Sequence, residues 1–142
     1  LLPLATILGS WLGAVVAYLI MNIDLTSVLQ HRSLSDCLAL NSGFAYYSLS
    51  SIFITEYRGA ELGTIALLAN IIREMTTLLL TPLLAKWFGP LAPISTGGAT
   101  TMDTTLPIIT QTIGQRYVAL SIYHGFVTDF SVPFLVTMWC ML

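Results

Sequence analysis

Two acids carry the most chemistry in this nearly uncharged chain. Asp103 lies in the glycine- and threonine-rich run ISTGGATTMDTTLP, and Glu74 lies in the middle of an apolar stretch. A carboxylate at bilayer depth costs roughly 2.5–3.5 kcal/mol on insertion scales, so it marks an ion or substrate pathway unless a partner neutralises it. Irregular backbone at that depth is tolerated only where it is buried in protein or lines a water-filled cavity. Asp103 joins a charge to a glycine break, which points to a site for an ion or a small charged substrate.

The composition places these acids in a membrane. Of the 142 residues, 56% are hydrophobic and only 8% charged, with a mean hydropathy of +0.83; soluble domains carry about 25% charged residues. A net charge of −2 excludes a basic nucleic-acid footprint. Cys37 and Cys140 are too few and too far apart for a disulfide framework or metal motif and read as buried thiols. No metal cluster, phosphate loop or nucleophile–base pair is visible, and no cofactor is implied. The first apolar stretch lacks a basic flank and a small-residue cleavage site, so it is not expected to be a signal peptide; the numbering is expected to start inside a longer protein.

The elements that position the acids follow from apolar length, since a helical span needs about 20 mostly apolar residues. Leu1–Met21 meets that length, and Gly9, Gly13 and Ala17 form a small-residue face suited to close helix packing. Asn22–Asp36 is polar, a loop or interfacial segment in which His31 and Arg32 are expected to be solvated. Leu34–Thr55 is apolar but interrupted by Asn41-Ser42-Gly43. Its hydroxyl residues, Tyr46 to Ser51 among them, suit bonding to neighbouring helices or lining a polar cavity. Glu56, Arg58, Gly59 and Glu61 mark a tight surface turn.

Gly63–Trp87 is the third apolar segment. Asn70, Glu74, Thr77 and Thr81 fall at spacings that make one polar stripe on a helix, expected to face protein or water. Arg73 points about 100° away from Glu74, so the two do not face each other. Both could instead find structural partners on other helices. Pro90, Pro93, Pro107 and Gly97-Gly98 prevent a regular span over Gly89–Gln111; two half-helices meeting at Ser95–Thr105 are expected. Arg116 opens the last segment, Tyr117–Leu142, which contains His124, Asp129 and Pro133. His124 and Asp129, five apart, do not share one face of an ideal helix. Asp129 stands as either a second ion ligand or a hydrogen-bonded structural acid. Positive charges fall evenly on alternate loops and give no orientation. The fold expected is an all-α polytopic membrane protein of about five membrane segments, at least one of them a broken helix.

Four runs in order, SGFAYYSLSSIFITE (Ser42–Glu56), NIIREMTTLLLTPLL (Asn70–Leu84), GGATTMDTTLPII (Gly97–Ile109) and HGFVTDFSVPF (His124–Phe134), resemble the LysO-type lysine exporter family. The resemblance implies multi-pass export of L-lysine or a related cationic amino acid across the inner membrane, in exchange for protons or, in their place, Na⁺. It implies that residues 1–142 form one transmembrane domain, the C-terminal portion of a longer or two-part transporter, working with an N-terminal portion, a partner subunit or further copies. The family's important acids, in the "RE" and "GATxMDxTLP" motifs, fall on Glu74 and Asp103.

The site expected from residues and resemblance together holds Glu74, Asp103, Asn70, Thr77, Thr100, Thr101, Thr104 and Arg73. The two acids would face each other across a cavity and neutralise the substrate amines, while Arg73 or a half-helix N-terminus would receive the carboxylate. Protons competing for the same acids would couple the fluxes. Rival readings are an ion channel, a non-catalytic membrane subunit, or an intramembrane aspartyl protease using Asp103 and Asp129. The last lacks the glycine–x–glycine before its aspartate.

Overall fold

The computed structural model of the chain describes residues 1–24 and 33–142, with the side chains of 22–24 left aside; His31 and Arg32 lie outside the described residues. The fold is all-α. Its helices are α1 (Leu2–Asp24), α2 (Leu34–Asn41), α3 (Tyr47–Arg58), α4 (Ala60–Phe88), α5 (Ala92–Gly97), α6 (Leu106–Ile113) and α7 (Val118–Met141), with 3-10 turns at Gly98–Met102 and Gln115–Tyr117. Stretches over Leu2–Met21, Ala60–Phe88 and Gln115–Met141 are long and apolar enough to cross a membrane. Leu68, Ile72, Met75 and Leu79 on α4 and Phe126, Phe130 and Phe134 on α7 are exposed on the outside of the bundle. Apolar side chains displayed so continuously suit lipid and not water. This is a membrane protein.

Between the long helices lie two hairpins. The Asn41–Gly43 interruption turns the chain back on itself instead of breaking one span. Were α2 and α3 to run on in one direction, Asp36 and Arg58 would stand roughly 30 Å apart. They form an ion pair, Nη1 to Oδ1 at 3.2 Å. Arg58 also donates to the carbonyls of Cys140 (3.1 Å) and Trp139 (3.5 Å). A cation there complements the unsatisfied carbonyls and negative dipole end of α7. One end of the bundle therefore gathers the start of α2, the end of α3, the start of α4 and the end of α7.

The second hairpin enters from the opposite end. After Gly89, α5 runs back along α4, so that Arg73 meets Ser95 and Thr96 while Thr77 lies near Gly97. The chain turns through Gly98–Thr105 and returns as α6 to Gly114. The expected break over Ser95–Thr105 is thus shorter: Ser95–Gly97 are helical and the irregular part is 98–105. Pro93 and Pro107 sit in the first turns of α5 and α6, where a missing N–H loses no bond, so they start the half-helices. Pro82 and Pro133 lie within α4 and α7 without ending them.

The apolar core gathers Phe44, Ile54, Ala66, Val132 and Val136 around the first hairpin, with Trp11 and Trp139 edge to face at 5.3 Å. Cys37 and Cys140 are buried free thiols. On the small-residue face of α1, a Cβ at Gly9 or Gly13 would meet nothing within 4 Å, so neither glycine packs against a helix of the described chain.

Candidate functional site

The tips of the two hairpins meet in the middle of the bundle. Phe44 and Ala45 have positive φ, 45° and 70°, a conformation that costs a non-glycine residue roughly 1–2 kcal/mol. Three contacts hold it. The Ala99 amide donates to the Phe44 carbonyl at 2.9 Å. Asn70 Oδ1 accepts from the Ala45 amide at 2.9 Å, while its Nδ2 donates to Ser50 Oγ and the Ala66 carbonyl. The Arg73 guanidinium stacks on the Phe44 ring, 5.4 Å from its centroid. Gly98, at φ 59°, lies so close that a Cβ would sit 2.4 Å from the Phe44 carbonyl oxygen.

Arg73 also closes the end of α5. Its Nε donates to the Thr96 carbonyl at 3.0 Å, Nη2 to the Ser95 carbonyl at 3.3 Å and Nη1 to Ser10 Oγ at 3.4 Å. A short helix buried at its C-terminus leaves carbonyls without partners, and a planar cation with several donors satisfies two of them at once.

Beside the tips is a cavity of about 110 Å³ lined by Tyr46, Ala99, Thr100, Met102, Asp103 and Asp129. At about 30 Å³ per water that is room for three or four. Asp103 Oδ1 accepts from the amide and hydroxyl of Thr104. Thr100 bonds to the Gly97 carbonyl at 2.8 Å and approaches the Thr105 hydroxyl at 3.3 Å. Asp103 is exposed and Asp129 half-buried, and two carboxylates beside so small a space can hold a cation, or take up a proton when the cation leaves.

The arrangement corrects the expected pairing: the acid that shares Asp103's cavity is Asp129, not Glu74. Glu74 is half-buried at the centre of α4, on the stripe with the buried Asn70, Thr77 and Thr81, and makes no hydrogen bond or ion pair among the described residues. Thr77 and Thr81 bond back to carbonyls of their own helix, and Asn70 serves the first tip. Arg73 faces away from the acid cavity, into a groove of about 560 Å³ along α1 with Thr6, Ser10, Ser95 and Thr96. Thr100 lines the acid cavity, Thr104 is exposed beside it, and Thr101 is buried in bonds to Gly98, Ser121 and His124.

Sequence reasoning named Tyr46 among the hydroxyls that could line a polar cavity, as it does, and named His124 on the last segment without assigning it to a site. His124 is fully buried, with Nε2 2.9 Å from Thr6 Oγ1 and Nδ1 3.2 Å from Thr101 Oγ1. The neighbouring Gly125 was a signal for it: a Cβ there would come within 2.6 Å of the Met102 amide, so α7 passes the second tip at closest range at this point.

The sequence matches the model of a family described as the lysine exporter LysO over residues 1–140. It is 31% identical over 136 residues to "Lysine exporter LysO" of Escherichia coli K12, covering 96% of this chain and 42% of that protein. It is 34% identical over 129 residues to a Haemophilus influenzae protein named "Putative lysine exporter", covering 91% and 61%. The chain therefore spans less than two thirds of either relative's length. No solved structure matches it significantly. With almost its whole length matched, the chain belongs to the lysine exporter LysO family.

Proposed function

We propose that the chain forms the paired-hairpin unit of a secondary active transporter that exports L-lysine, or a related cationic amino acid, in exchange for protons. The observation that carries the reading is the cavity shared by Asp103 and Asp129 where the two tips meet, in a member of a lysine exporter family. Each carboxylate repels the other's charge across that space, and a lysine ammonium relieves the repulsion. When the ammonium leaves, a proton does the same, so one site cannot hold both and the fluxes are coupled. The first turn of α3 follows Tyr46, which lines the cavity, and its amides and positive dipole end are offered to the substrate carboxylate. Arg73, turned to the α1 groove, is not needed for that role.

The long helices and hairpins suit a multi-pass protein of the cell (inner) membrane, with Na⁺ as the alternative coupling ion. The relatives carry further chain, and the unit is proposed to work with such a portion, supplied in the same protein or by a partner subunit. Asp103 and Asp129 line one cavity, but the family is one of exporters and not of proteases.

The test is efflux of radiolabelled lysine from proteoliposomes under imposed pH and Na⁺ gradients, with and without the additional portion found in the longer relatives. Efflux that follows the pH gradient supports the reading. Passive lysine or ion flux that ignores both gradients would establish a channel instead.

A further inference from the structure

We propose that His124 is a second proton-binding site, reached from the groove along α1 and read out by the tip that carries Asp103. This rests on the proton-coupled reading above and adds a residue to it.

The geometry is a buried imidazole in a cage of hydroxyls. Thr6 Oγ1 lies 2.9 Å from Nε2 and 2.9 Å from Ser95 Oγ, and it can also donate to the Leu2 carbonyl at 3.1 Å. Thr101 Oγ1 lies 3.2 Å from Nδ1, with the carbonyls of Gly98 and Ser121 at 2.8 and 2.9 Å. Two carbonyl acceptors claim the single hydroxyl proton of Thr101, so Nδ1 carries hydrogen and donates to Thr101. Nε2 is then the bare nitrogen and accepts from Thr6.

That cage satisfies either charge state. Rotating the Thr6 hydroxyl toward the Leu2 carbonyl frees its oxygen to accept from a protonated Nε2, while Ser95 can still donate to it. An amide or carboxylate at Thr6 would favour one form; a hydroxyl serves both. Thr6 and Ser95 also line the open groove, so a proton has a route. A hydronium in the groove gives its proton to the Thr6 oxygen, and Thr6 passes its own hydroxyl proton to Nε2. The oxygen ends as it began and the imidazole gains one positive charge.

The readout lies on the other ring nitrogen. Thr101 belongs to the 3-10 turn that ends at Asp103, so a change in the charge of the ring acts on the turn that sets the acid cavity. The charged groups around this point are few. Arg73 of α4 sets a like charge against a protonated ring, while Asp103 closes the turn and Asp129 follows on α7. The facing parts of α1 and α5 bring hydroxyls and no charge, and Asp36 with Arg58 is paired at the far end of α7.

Two measurements on the reconstituted protein test this. Solid-state ¹⁵N NMR of the histidine ring in bilayers reads the site without any transport. Nε2 is expected bare near neutral pH and protonated only on strong acidification. In proteoliposomes, His124→Gln is expected to cut pH-driven lysine efflux about 100-fold and flatten its pH profile, with lysine–lysine exchange falling less than tenfold. Thr6→Val, which leaves the ring in place, should flatten the profile likewise, and Thr6→Ser should restore it. An Nε2 that stays bare throughout, or a native pH profile in both His124→Gln and Thr6→Val, overturns the proposal. If Nε2 titrates while the native protein moves no lysine, the proton site stands and the exporter reading fails.

Discussion

The amide of Ala99 donates to the carbonyl of Phe44 at 2.9 Å, and this one main-chain bond joins the tips of two hairpins that enter the bundle from opposite ends. Apolar surroundings leave broken backbone without water, so its polar groups must find protein partners. Each tip supplies one for the other. Asn70 and Arg73, one turn apart on α4, complete the junction from the side.

Gly98→Ala is expected to lose folded protein, because its Cβ would meet the Phe44 carbonyl oxygen at 2.4 Å and φ is 59°. Gly9→Ala and Gly13→Ala, inside α1 with nothing within 4 Å, should hold the thermal stability of the isolated chain or raise it by roughly 0.5–1 kcal/mol, alanine being the better helix former. Unfolding in detergent by circular dichroism checks all three. Equal midpoints for Gly98→Ala and the native chain would show that the tips do not meet so closely.

Asn70→Ala should destabilise by about 1–3 kcal/mol, the penalty for a buried amide left without its acceptor. The Ala45 N–H loses Oδ1, and Ser50 loses Nδ2. The check is the unfolding midpoint beside that of Thr64→Val, whose exposed hydroxyl bonds only within its own helix and should fall within about 0.5 kcal/mol of the native value.

Asp103→Asn and Asp129→Asn should each abolish efflux driven by a pH gradient, and any lysine binding that survives should lose its pH dependence. Because the two acids line one cavity, the double variant should be no worse than the worse single one, as for residues that act as a unit. Native pH-driven exchange in Asp103→Asn would place proton coupling elsewhere.

Glu74→Gln should lower lysine efflux about 100-fold, since the amide keeps the shape and removes only the charge. Its unfolding midpoint should match the native one, because the carboxylate holds no partner among the described residues. Glu74 does not line the Asp103 cavity, so competition between protons and lysine for binding should persist in this variant. A binding pH profile altered as in Asp103→Asn would put Glu74 in the same site after all.

The membrane class, the three long helices, the glycine break before Asp103 and the polar stripe on α4 were legible in the sequence. Each is local: apolar length, a Gly-Pro-rich run and a helical period all act within a single element. The same local signals marked a break at Asn41–Gly43 but not its direction. The ion pair between Asp36 and Arg58, which turns that break into a hairpin, is a contact between distant residues. Periodicity placed Glu74 on the buried stripe, yet it carries no information about which helix faces which. Packing alone set Asp129 beside Asp103, turned Arg73 toward the carbonyls of α5 and enclosed His124 between Thr6 and Thr101. Those partners lie on different elements, and their meeting was decided by how the broken backbone of each tip satisfied its hydrogen bonds inside an apolar bundle.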